Sequence, residues 1–392
     1  MTTEQLRSEV TLELTGNILP FWENHMTDPQ GGYFGRRDGN GDLAPDAPKG
    51  LVLNARILWT FSSAYRIFHR KEYLDAATRA KDYILRNFID SEFGGAYWSL
   101  DSKGNPLNTK KQIYAIAFAI YGFAEYNRAT LDAEALDAAV SLYHSIEEHS
   151  FDRDFNGYID ALTRDWQRME DMSLSEKDQN AAKTMNTHLH ILEAYTCLFR
   201  VWKDAELEEK LRNLIILFAN TITGPDGHLQ LFFDEKWRPD GHIQSFGHDI
   251  ECSWLLWEAA CVLGDAALKE RVRPICCRIA EAGMEGFTPE GGMIYEWDFT
   301  AGEKHLNRDW WVQAETVVGC YYQWKLTSDA RWREAAEAEW EYIKKNIIAP
   351  DGEWYWGRLA DGSANTADDR AGFWKCPYHN GRMCMELIEQ IG

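Results

Sequence analysis

Six short segments of similar composition are spaced almost evenly along the chain. Each contains Gly or Asp near a bend and alternating apolar and polar residues, as in "GGAYWSLDSKGN" from Gly94 and "DGEWYWGRLADG" from Asp351. Neighbouring segments are 60 to 70 residues apart, measured between the markers Gly32, Gly95, Gly157, Gly227, Gly292 and Gly352. Alternation bounded by turn residues predicts a short β-hairpin. The regular interval predicts that one supersecondary unit is repeated.

The interval between two hairpins has room for two helices, and its hydrophobic periodicity predicts two. The first is apolar almost all round, as in "IYAIAFAIYGFAEYNRA", and the second is amphipathic, as in "AEALDAAVSLYHSIEEH". Single helices near 3–23 and 376–391 bring the number to twelve. A closed ring buries the apolar faces that a linear stack would expose at its ends. We therefore predict an all-α fold, an (α/α)6 barrel of six inner and six outer helices with short β-hairpins at one rim, as a single domain over residues 1–392.

Composition and charge narrow the class of protein and its partners. The 392 residues carry a formal net charge of −21, so nucleic acid and acidic membranes are unlikely partners. The N-terminus lacks the pattern of a signal peptide, and the most apolar stretch, 113–126, is too short to span a membrane. Eight cysteines without a C-x-x-C pair favour a reducing compartment. We expect a cytoplasmic protein, and a monomer.

The predicted architecture places the N-termini of all six inner helices at the rim that carries the hairpins. Backbone N–H groups and positive helix dipoles would surround one depression there. The polar and aromatic residues in these helix starts are candidate functional residues: Arg56, Tyr114, Asn186, His188, His190, His248, Glu251, Trp310, Trp311, Glu315, Trp374, His379 and Arg382. A lone histidine at a helix start is more often a capping residue than a catalyst. Histidines at the starts of three inner helices on one rim favour a functional site.

Two histidines near a cation favour proton transfer at a carbon next to a carbonyl, because imidazole titrates near neutrality. The enediolate formed would need positive charge, which Arg56 and the helix N-termini can supply. Arg56, inside an apolar helix, needs a carboxylate or a ligand oxyanion in any case, since an unpaired buried guanidinium is costly. A glycoside hydrolase would instead use two carboxylates, and Glu251, Glu315 and Asp178 keep that alternative open. A non-catalytic sugar-binding barrel is a further alternative.

The histidines do not follow a known metal-binding pattern. His188 and His190 are two residues apart, so on a helix they point in nearly opposite directions. The pairs His248 with Glu251 and His379 with Arg382 are three apart and share a helix face, where Glu or Arg can fix the tautomer of the ring without a metal. The sequence contains no H-E-x-x-H motif and no phosphate-binding glycine loop. We expect neither a metal nor a cofactor.

Six segments together resemble the cellobiose 2-epimerases, a branch of the N-acylglucosamine 2-epimerase superfamily: "NARILW", "TMNTHLHILEAY", "FGHDIE", "WWVQAE", "GEWYW" and "WKCPYHNGRMCME". The resemblance runs from the first helix to the last residue and implies an (α/α)6 barrel. It also implies reversible epimerisation at C2 of the reducing-end sugar in β-1,4-linked disaccharides, from cellobiose to glucosyl-mannose and from lactose to epilactose. No metal or nucleotide cofactor is implied.

The resemblance further implies a role for individual residues. His379 and His248 match the acid/base pair that moves the C2 proton through a cis-enediolate, and His190 matches the histidine that assists ring opening. Substrate contacts are implied for Arg56, Tyr114, Asp178, Asn186, Glu251, Trp311 and Trp374, with Trp374 nearer the second sugar. The loops "RMEDMSLSEKDQNAAK" and "RLADGSANTADDRAG" match least well, so the preferred disaccharide stays open. A monosaccharide enzyme, either an N-acylglucosamine 2-epimerase or a mannose isomerase, is the alternative within the superfamily.

Overall fold

The computed structural model describes residues 1–175 and 178–391. The α-helices in this part of the chain are α1 Thr3–Glu13, α2 Leu19–His25, α3 Leu51–Phe68, α4 Lys71–Tyr83, α5 Ile113–Thr130, α6 Ala133–His149, α7 Met185–Val201, α8 Ala205–Leu217, α9 Phe246–Leu263, α10 Ala266–Gly283, α11 Trp310–Thr327, α12 Ala330–Asn346 and α13 Tyr378–Ile391. π-Helical turns at Leu14–Ile18, Ile84–Phe88 and Phe218–Ile222 join or extend them. Because the first of these turns joins α1 to α2 into one continuous helix, the described residues form twelve helical segments, as the periodicity predicts. None of them has the length and apolar composition needed to cross a bilayer.

Burial differs between the two helices of a pair in the way their sequences predict. Every residue of α5 from Ile113 to Asn127 is buried, whereas α6 buries a stripe that includes Ala135, Ala139 and Leu142. Between them, Leu131 adopts the left-handed conformation that ends α5. Asp132 then begins α6, because its side chain accepts a hydrogen bond from the backbone N–H of Ala135. The first helix of the pair is therefore an inner helix and the second an outer one.

The inner helices contact one another in a closed ring. Helix α3 packs against α5, α5 against α7, α7 against α9, α9 against α11, α11 against α13, and α13 against α3. The outer helices α4, α6, α8, α10 and α12 pack on α3, α5, α7, α9 and α11, respectively. Helix α1 packs on α13, so the two ends of the chain complete one pair. The predicted (α/α)6 barrel is confirmed.

Short antiparallel strands lie between the helices and link neighbouring repeats. The strands within the described residues are β1 Lys49–Gly50, β2 Ser99–Leu100, β3 Pro106–Asn108, β4 Lys111–Gln112, β5 Ala161–Leu162, β6 Lys183–Thr184, β7 Phe232–Phe233, β8 Ile243–Ser245, β9 Glu296–Asp298, β10 Glu303–His305, β11 Arg308–Asp309 and β12 Gly357–Arg358. The strand before an inner helix pairs with a strand of the next repeat: β1 with β2, β4 with β5, β6 with β7, β8 with β9 and β11 with β12. A bridge between Arg37 and Ala371 joins the last repeat to the first.

The predicted hairpins are therefore only part of the pairing at this rim. Strand pairing within a repeat is found for β2 with β3 and β9 with β10, and as single bridges such as Ile89 with Ala96. Strands of two or three residues are too short to be stable as isolated hairpins, so they also pair between repeats. The six marker glycines all have positive φ, from 64° to 107°. At Gly95 a Cβ would also lie 2.6 Å from a ring carbon of Trp166, so the turn requires glycine.

Buried lysines attach three of these turns to the inner helices. Lys111, directly before α5, donates from Nζ to Asp90 Oδ2 at 2.8 Å and to the Gly94 carbonyl at 2.7 Å. Lys49 and Lys183 make the same kind of ion pair with the aspartates of their own turns. Neither the Lys111 nor the Asp90 side chain is exposed. These three pairs hold the starts of α3, α5 and α7, and so the site residues those helices carry, against the rim.

Candidate active site

The first two turns of the inner helices carry nearly all the candidate residues to one end of the barrel. Strands β1, β4, β6, β8 and β11 each end directly before an inner helix, so these helix starts lie at the same rim. The candidates are distributed over all six helices: Arg56 on α3, Tyr114 on α5, Asn186 and His190 on α7, His248 and Glu251 on α9, Trp311 and Glu315 on α11, and His379 and Arg382 on α13.

His379 is held by a carboxylate of the neighbouring inner helix. Its Nδ1 lies 2.7 Å from Glu315 Oε1, and 5% of the residue is exposed. Burial lowers the pKa of His379 well below its ordinary value, and the positive charges of Arg56 and Arg382 lower it further. The ring is therefore neutral at neutral pH, with the Nδ1–H donating to Glu315. In residues 1–175 and 178–391, Nε2 has no hydrogen-bond partner.

His248 and His379 contact the same tryptophan. The ring of Trp311 lies 4.7 Å from that of His248 and 5.7 Å from that of His379, measured between centroids. The Nδ1 of His248 lies 2.8 Å from the Ser245 hydroxyl. Burial, and then the charge of His190, lowers the pKa of His248 to about 3. Two neutral imidazoles, from α9 and α13, therefore contact the same tryptophan ring.

His190, on α7, lies against Tyr114. Its Nδ1 is 2.9 Å from Glu193 Oε2, and its ring is nearly perpendicular to that of Tyr114, with the centroids 4.9 Å apart. A positive charge on His190 lowers the pKa of both His248 and His379. The three imidazoles are therefore within electrostatic reach of one another.

Arg56 is a buried cation that has no carboxylate partner in the part of the chain the structure describes. Its Nη2 donates to the Tyr114 hydroxyl at 2.7 Å, and its Nη1 donates to the Trp374 carbonyl at 3.3 Å. Its guanidinium carbon lies 4.2 Å from the ring centroid of Phe118 and 4.8 Å from that of Tyr378. None of these groups carries a compensating negative charge at neutral pH. Of the two partners the sequence suggests, a ligand oxyanion is the one that fits this geometry.

Arg382 joins three carboxylates beside the histidines. Its Nη1 donates to Glu193 Oε1, and its Nη2 donates to Glu251 Oε1 at 2.6 Å and to Glu315 Oε1 at 2.7 Å. All four side chains are at most 1% exposed. Burial, followed by the charge of Glu315, raises the pKa of Glu251 to about 7. Burial also acts to raise the pKa of Glu193, but Arg382 and His190 outweigh it and lower that pKa to about 2.

Asn186 and Trp374 lie at the start of α7 and just before α13. The ring of Trp374 lies 6.0 Å from that of Tyr114 and 5.8 Å from that of Trp98. The Oδ1 of Asn186 is buried and has no partner within the described residues. Asn186 is therefore able to accept a hydrogen bond from a ligand, and Trp374 offers an aromatic surface beside Tyr114.

Asp178 lies farther out than the other candidates. It is exposed, next to residues 176 and 177, which lie outside the described ranges. Its Oδ2 accepts a hydrogen bond from the Ser175 hydroxyl at 2.6 Å. Burial raises the pKa of Tyr295, and the charges of Asp309, Glu296 and Asp178 add to this effect. The Tyr295 ring contacts that of Trp311, with the centroids 6.2 Å apart.

The model of one protein family, described as N-acylglucosamine 2-epimerase (GlcNAc 2-epimerase), matches residues 32–380 of this chain. The chain belongs to the N-acylglucosamine 2-epimerase family. Its place in that family makes it an epimerase, an enzyme of the isomerase class.

Similar members of the family cover nearly the whole chain. A cellobiose 2-epimerase of Bacteroides fragilis is 56% identical over 388 residues, which are 98% of this chain and 99% of the relative. A cellobiose 2-epimerase of Ruminococcus albus is 39% identical over 97% of this chain and 98% of its own length. The solved structure of a cellobiose 2-epimerase from Bacillus thermoamylovorans superposes with a TM-score of 0.93 at 40% identity, covering 99% of this chain and all of the other.

Two neighbouring histidines in this family member have different environments. The Nδ1 of His188 lies 2.7 Å from the Thr184 carbonyl, and its Nε2 accepts a hydrogen bond from the Tyr158 N–H at 2.9 Å. Both ring nitrogens are therefore occupied within the protein, and burial lowers the pKa of His188 to about 3. His188 is a structural residue. His190, two positions on, faces Tyr114, as its place on the opposite side of the helix predicts.

Glu193 belongs to the same cluster of buried side chains as His190 and Arg382, although it is not among the candidate residues identified from the sequence. It lies three residues after His190, a spacing that brings side chains together on a helix, so the sequence could have predicted their contact.

The helix spacing predicts that Glu251 fixes the tautomer of His248 and that Arg382 fixes that of His379. In the described residues, Ser245 contacts His248 Nδ1 and Glu315 contacts His379 Nδ1 instead. Glu251 binds Arg382, and His379 and Arg382 meet through the shared oxygen of Glu315.

Glu251, Glu315 and His379 place three potential metal-ligand atoms within 4.8 Å of one another. Arg382 Nη2 donates to both carboxylates, however. The guanidinium supplies at this position the positive charge that a metal ion would bring.

Proposed function

We propose that the protein epimerises C2 of the reducing-end sugar in β-1,4-linked disaccharides such as cellobiose and lactose. Relatives of matching length that are named cellobiose 2-epimerase support this class of substrate. The observation that carries the chemistry is the position of His248 and His379. They come from different inner helices and contact the same Trp311 ring, which supports placing both of them beside one substrate carbon.

In the proposed reaction the sugar ring opens first, with His190 moving the proton between its oxygens. One imidazole then takes the C2 proton and leaves a cis-enediolate. The other, which has first taken up a proton from solvent, gives it to the opposite face of C2, and the first ring releases its proton to solvent before the next turnover. The base has to be neutral, and the lowered pKa values of His248 and His379 meet that requirement. Glu315 stabilises the imidazolium formed on His379, because it accepts the hydrogen bond from Nδ1.

The negative charge of the enediolate needs a fixed cation, and Arg56 fits this role. Its guanidinium is buried, oriented by Tyr114, and uncompensated by any carboxylate in the described residues. A charge that is already in place costs no reorganisation when the enediolate forms. The partly exposed rings of Trp311 and Trp374 would stack on the two sugars, with Asn186, Glu251 and Asp178 as polar contacts.

Hydrolysis of a glycosidic bond would need two carboxylates on either side of the bond. Glu251 and Glu315 are instead almost fully buried and both accept from the same nitrogen of Arg382. A sugar has no access between them. The geometry therefore favours epimerisation over the hydrolase alternative.

The test is incubation with cellobiose and, separately, lactose in deuterated water, followed by NMR. We expect mannose-configured products that carry deuterium at C2. His248→Asn and His379→Asn should both abolish product formation, whereas His69→Asn is a matched control. His69 is exposed and has a positive φ, which asparagine tolerates. Free mannose and N-acetylmannosamine are incubated in the same way as alternative substrates. Turnover of these sugars without turnover of disaccharides, or release of monosaccharides from cellobiose, would contradict the proposal.

A further inference from the structure

Glu193 is a buried carboxylate to which the proposed reaction assigns no step. It accepts hydrogen bonds from three donors on two helices: the Nδ1–H of His190 on α7, at 2.9 Å, and the Tyr378 hydroxyl and Arg382 Nη1 on α13. Only 3% of the residue is exposed. A carboxylate with three donors, one of them a guanidinium, stays ionised and cannot rotate without losing a charge-assisted hydrogen bond.

The contact with Glu193 determines which nitrogen of His190 is available to substrate. Because Nδ1 donates its hydrogen to Glu193 Oε2, the neutral ring has its lone pair on Nε2. The described residues provide no hydrogen-bond partner for Nε2. In the other tautomer, the Nδ1 lone pair would face the negative oxygen of Glu193, which is repulsive. Glu193 therefore selects the tautomer that can exchange a proton at Nε2.

Arg382 connects this pair to the histidine on α13. Its Nη1 donates to Glu193, and its Nη2 donates to Glu315 Oε1, the same oxygen that holds His379 Nδ1. Hydrogen bonds thus run without interruption from His190 to His379. In the proposed reaction these two rings act on neighbouring positions of one sugar. Their relative placement has to be held to within about 0.5 Å for both to reach their atoms.

We propose that Glu193 is a positioning residue that selects the tautomer of His190 and, through Arg382, fixes that ring relative to His379. The inference rests on the proposed function, in which His190 assists ring opening. Loss of Glu193 then slows the interconversion of closed and open sugar and leaves binding of the closed sugar largely intact. The change should appear in kcat, with little effect on KM.

Glu193→Gln is the direct test, because it keeps the size of the side chain and removes its charge. Because Arg382 can only donate, the amide oxygen should face Arg382 and Tyr378, and the amide NH2 then faces His190 Nδ1, where it favours the opposite tautomer. We expect kcat for cellobiose to fall roughly 10²-fold, since an incorrect histidine tautomer is costly in proton transfer, and KM to change less than about threefold. Glu147→Gln is the matched control. Glu147 is also buried and accepts from Tyr158 and Tyr195, and kcat should stay within about twofold.

The tautomer itself is measured without substrate, by NMR of protein labelled with ¹⁵N-histidine, with the His190 signals assigned from His190→Asn. In the unsubstituted protein Nδ1 should carry the proton, and in Glu193→Gln the His190 signals should show loss of that single tautomer. If Glu193→Gln folds poorly, Glu193→Asp keeps the charge but withdraws it from His190, and the same changes are expected. A folded variant with an unchanged tautomer and kcat within threefold of the parent overturns the inference. Absence of C2 deuteration by the parent protein would instead refute the proposed function.

Discussion

Replacing Arg56 by methionine should separate its role in catalysis from its role in folding. Methionine has a similar length and suits the aromatic surroundings of Phe118 and Tyr378. It removes the positive charge that we assign to the enediolate. Because the structure shows no carboxylate beside Arg56 within the described ranges, the substitution leaves no buried negative charge unpaired.

The favourable and unfavourable contributions of the Arg56 side chain to the free energy of unfolding nearly cancel. The guanidinium contributes two charge-assisted hydrogen bonds, to the Tyr114 hydroxyl and to the Trp374 carbonyl, about 1.5–3 kcal/mol each with the longer bond to Trp374 at the weak end, and two contacts with aromatic rings, about 0.5–2 kcal/mol each. Burying a cation without a negative partner costs several kcal/mol in the opposite direction. We therefore expect the free energy of unfolding to change by less than about 2 kcal/mol. Removing a donor to a developing oxyanion costs about 2.7–4 kcal/mol, or roughly 10²–10³ in kcat.

The assay pairs steady-state kinetics on cellobiose with urea unfolding followed by tryptophan fluorescence. Arg128→Met is a matched control, because Arg128 lies in the last turn of α5 and is partly exposed, so kcat should not change. A loss of more than about 3 kcal/mol in unfolding free energy for Arg56→Met, with kcat within threefold of the parent, would show that Arg56 is structural and refute this reasoning.

Three further predictions follow from buried charges. Burial raises the pKa of Glu339 to about 8, so the folded protein binds this proton more tightly than the unfolded chain and loses stability as pH rises from about 4.5 to 8. Glu339→Gln removes this pH dependence. The unfolding free energy of the variant minus that of the parent, measured by urea denaturation, should therefore rise by about 3 kcal/mol from pH 5 to pH 8, and a difference that does not change with pH would contradict this. For the native enzyme, kcat/KM should fall on acidification with an apparent pKa below 6.5, because protonation of both His248 and His379 leaves no ring to act as the base; an acid limb at or above 6.5 argues against that assignment. Lys111→Met leaves the Asp90 carboxylate buried with one fewer cation and should lower the unfolding free energy by about 3 kcal/mol, so an unchanged urea midpoint would show that the pair is not stabilising.

The number and order of the helices could be predicted from the sequence because they depend on local periodicity. Helix α5 is apolar on every face and α6 on one, and that contrast already separates inner from outer helices. The partners of the strands could not be predicted. A strand of two residues such as β1 has no pattern long enough to specify its register, and β1 pairs with a strand about 50 residues later in the chain.

The site could be predicted as a set of helix starts, but not as a network. The contacts of Arg382 with Glu193, Glu251 and Glu315 depend on how α7, α9, α11 and α13 are rotated about their axes. That rotation is determined by packing around the whole ring. His188 and His190 illustrate the same limit, since only the position of the Tyr158 N–H shows which of the two is structural.

The most direct measurement follows deuterium exchange at C2 separately for the two epimers of the disaccharide, in His248→Asn and in His379→Asn. If one imidazole serves each face of C2, both variants lose epimerisation, but each still exchanges the C2 proton of one epimer. The epimer that exchanges should differ between the two variants. Loss of exchange for the same epimer in both variants, or exchange of both epimers in either one, would contradict a reaction with one histidine on each face.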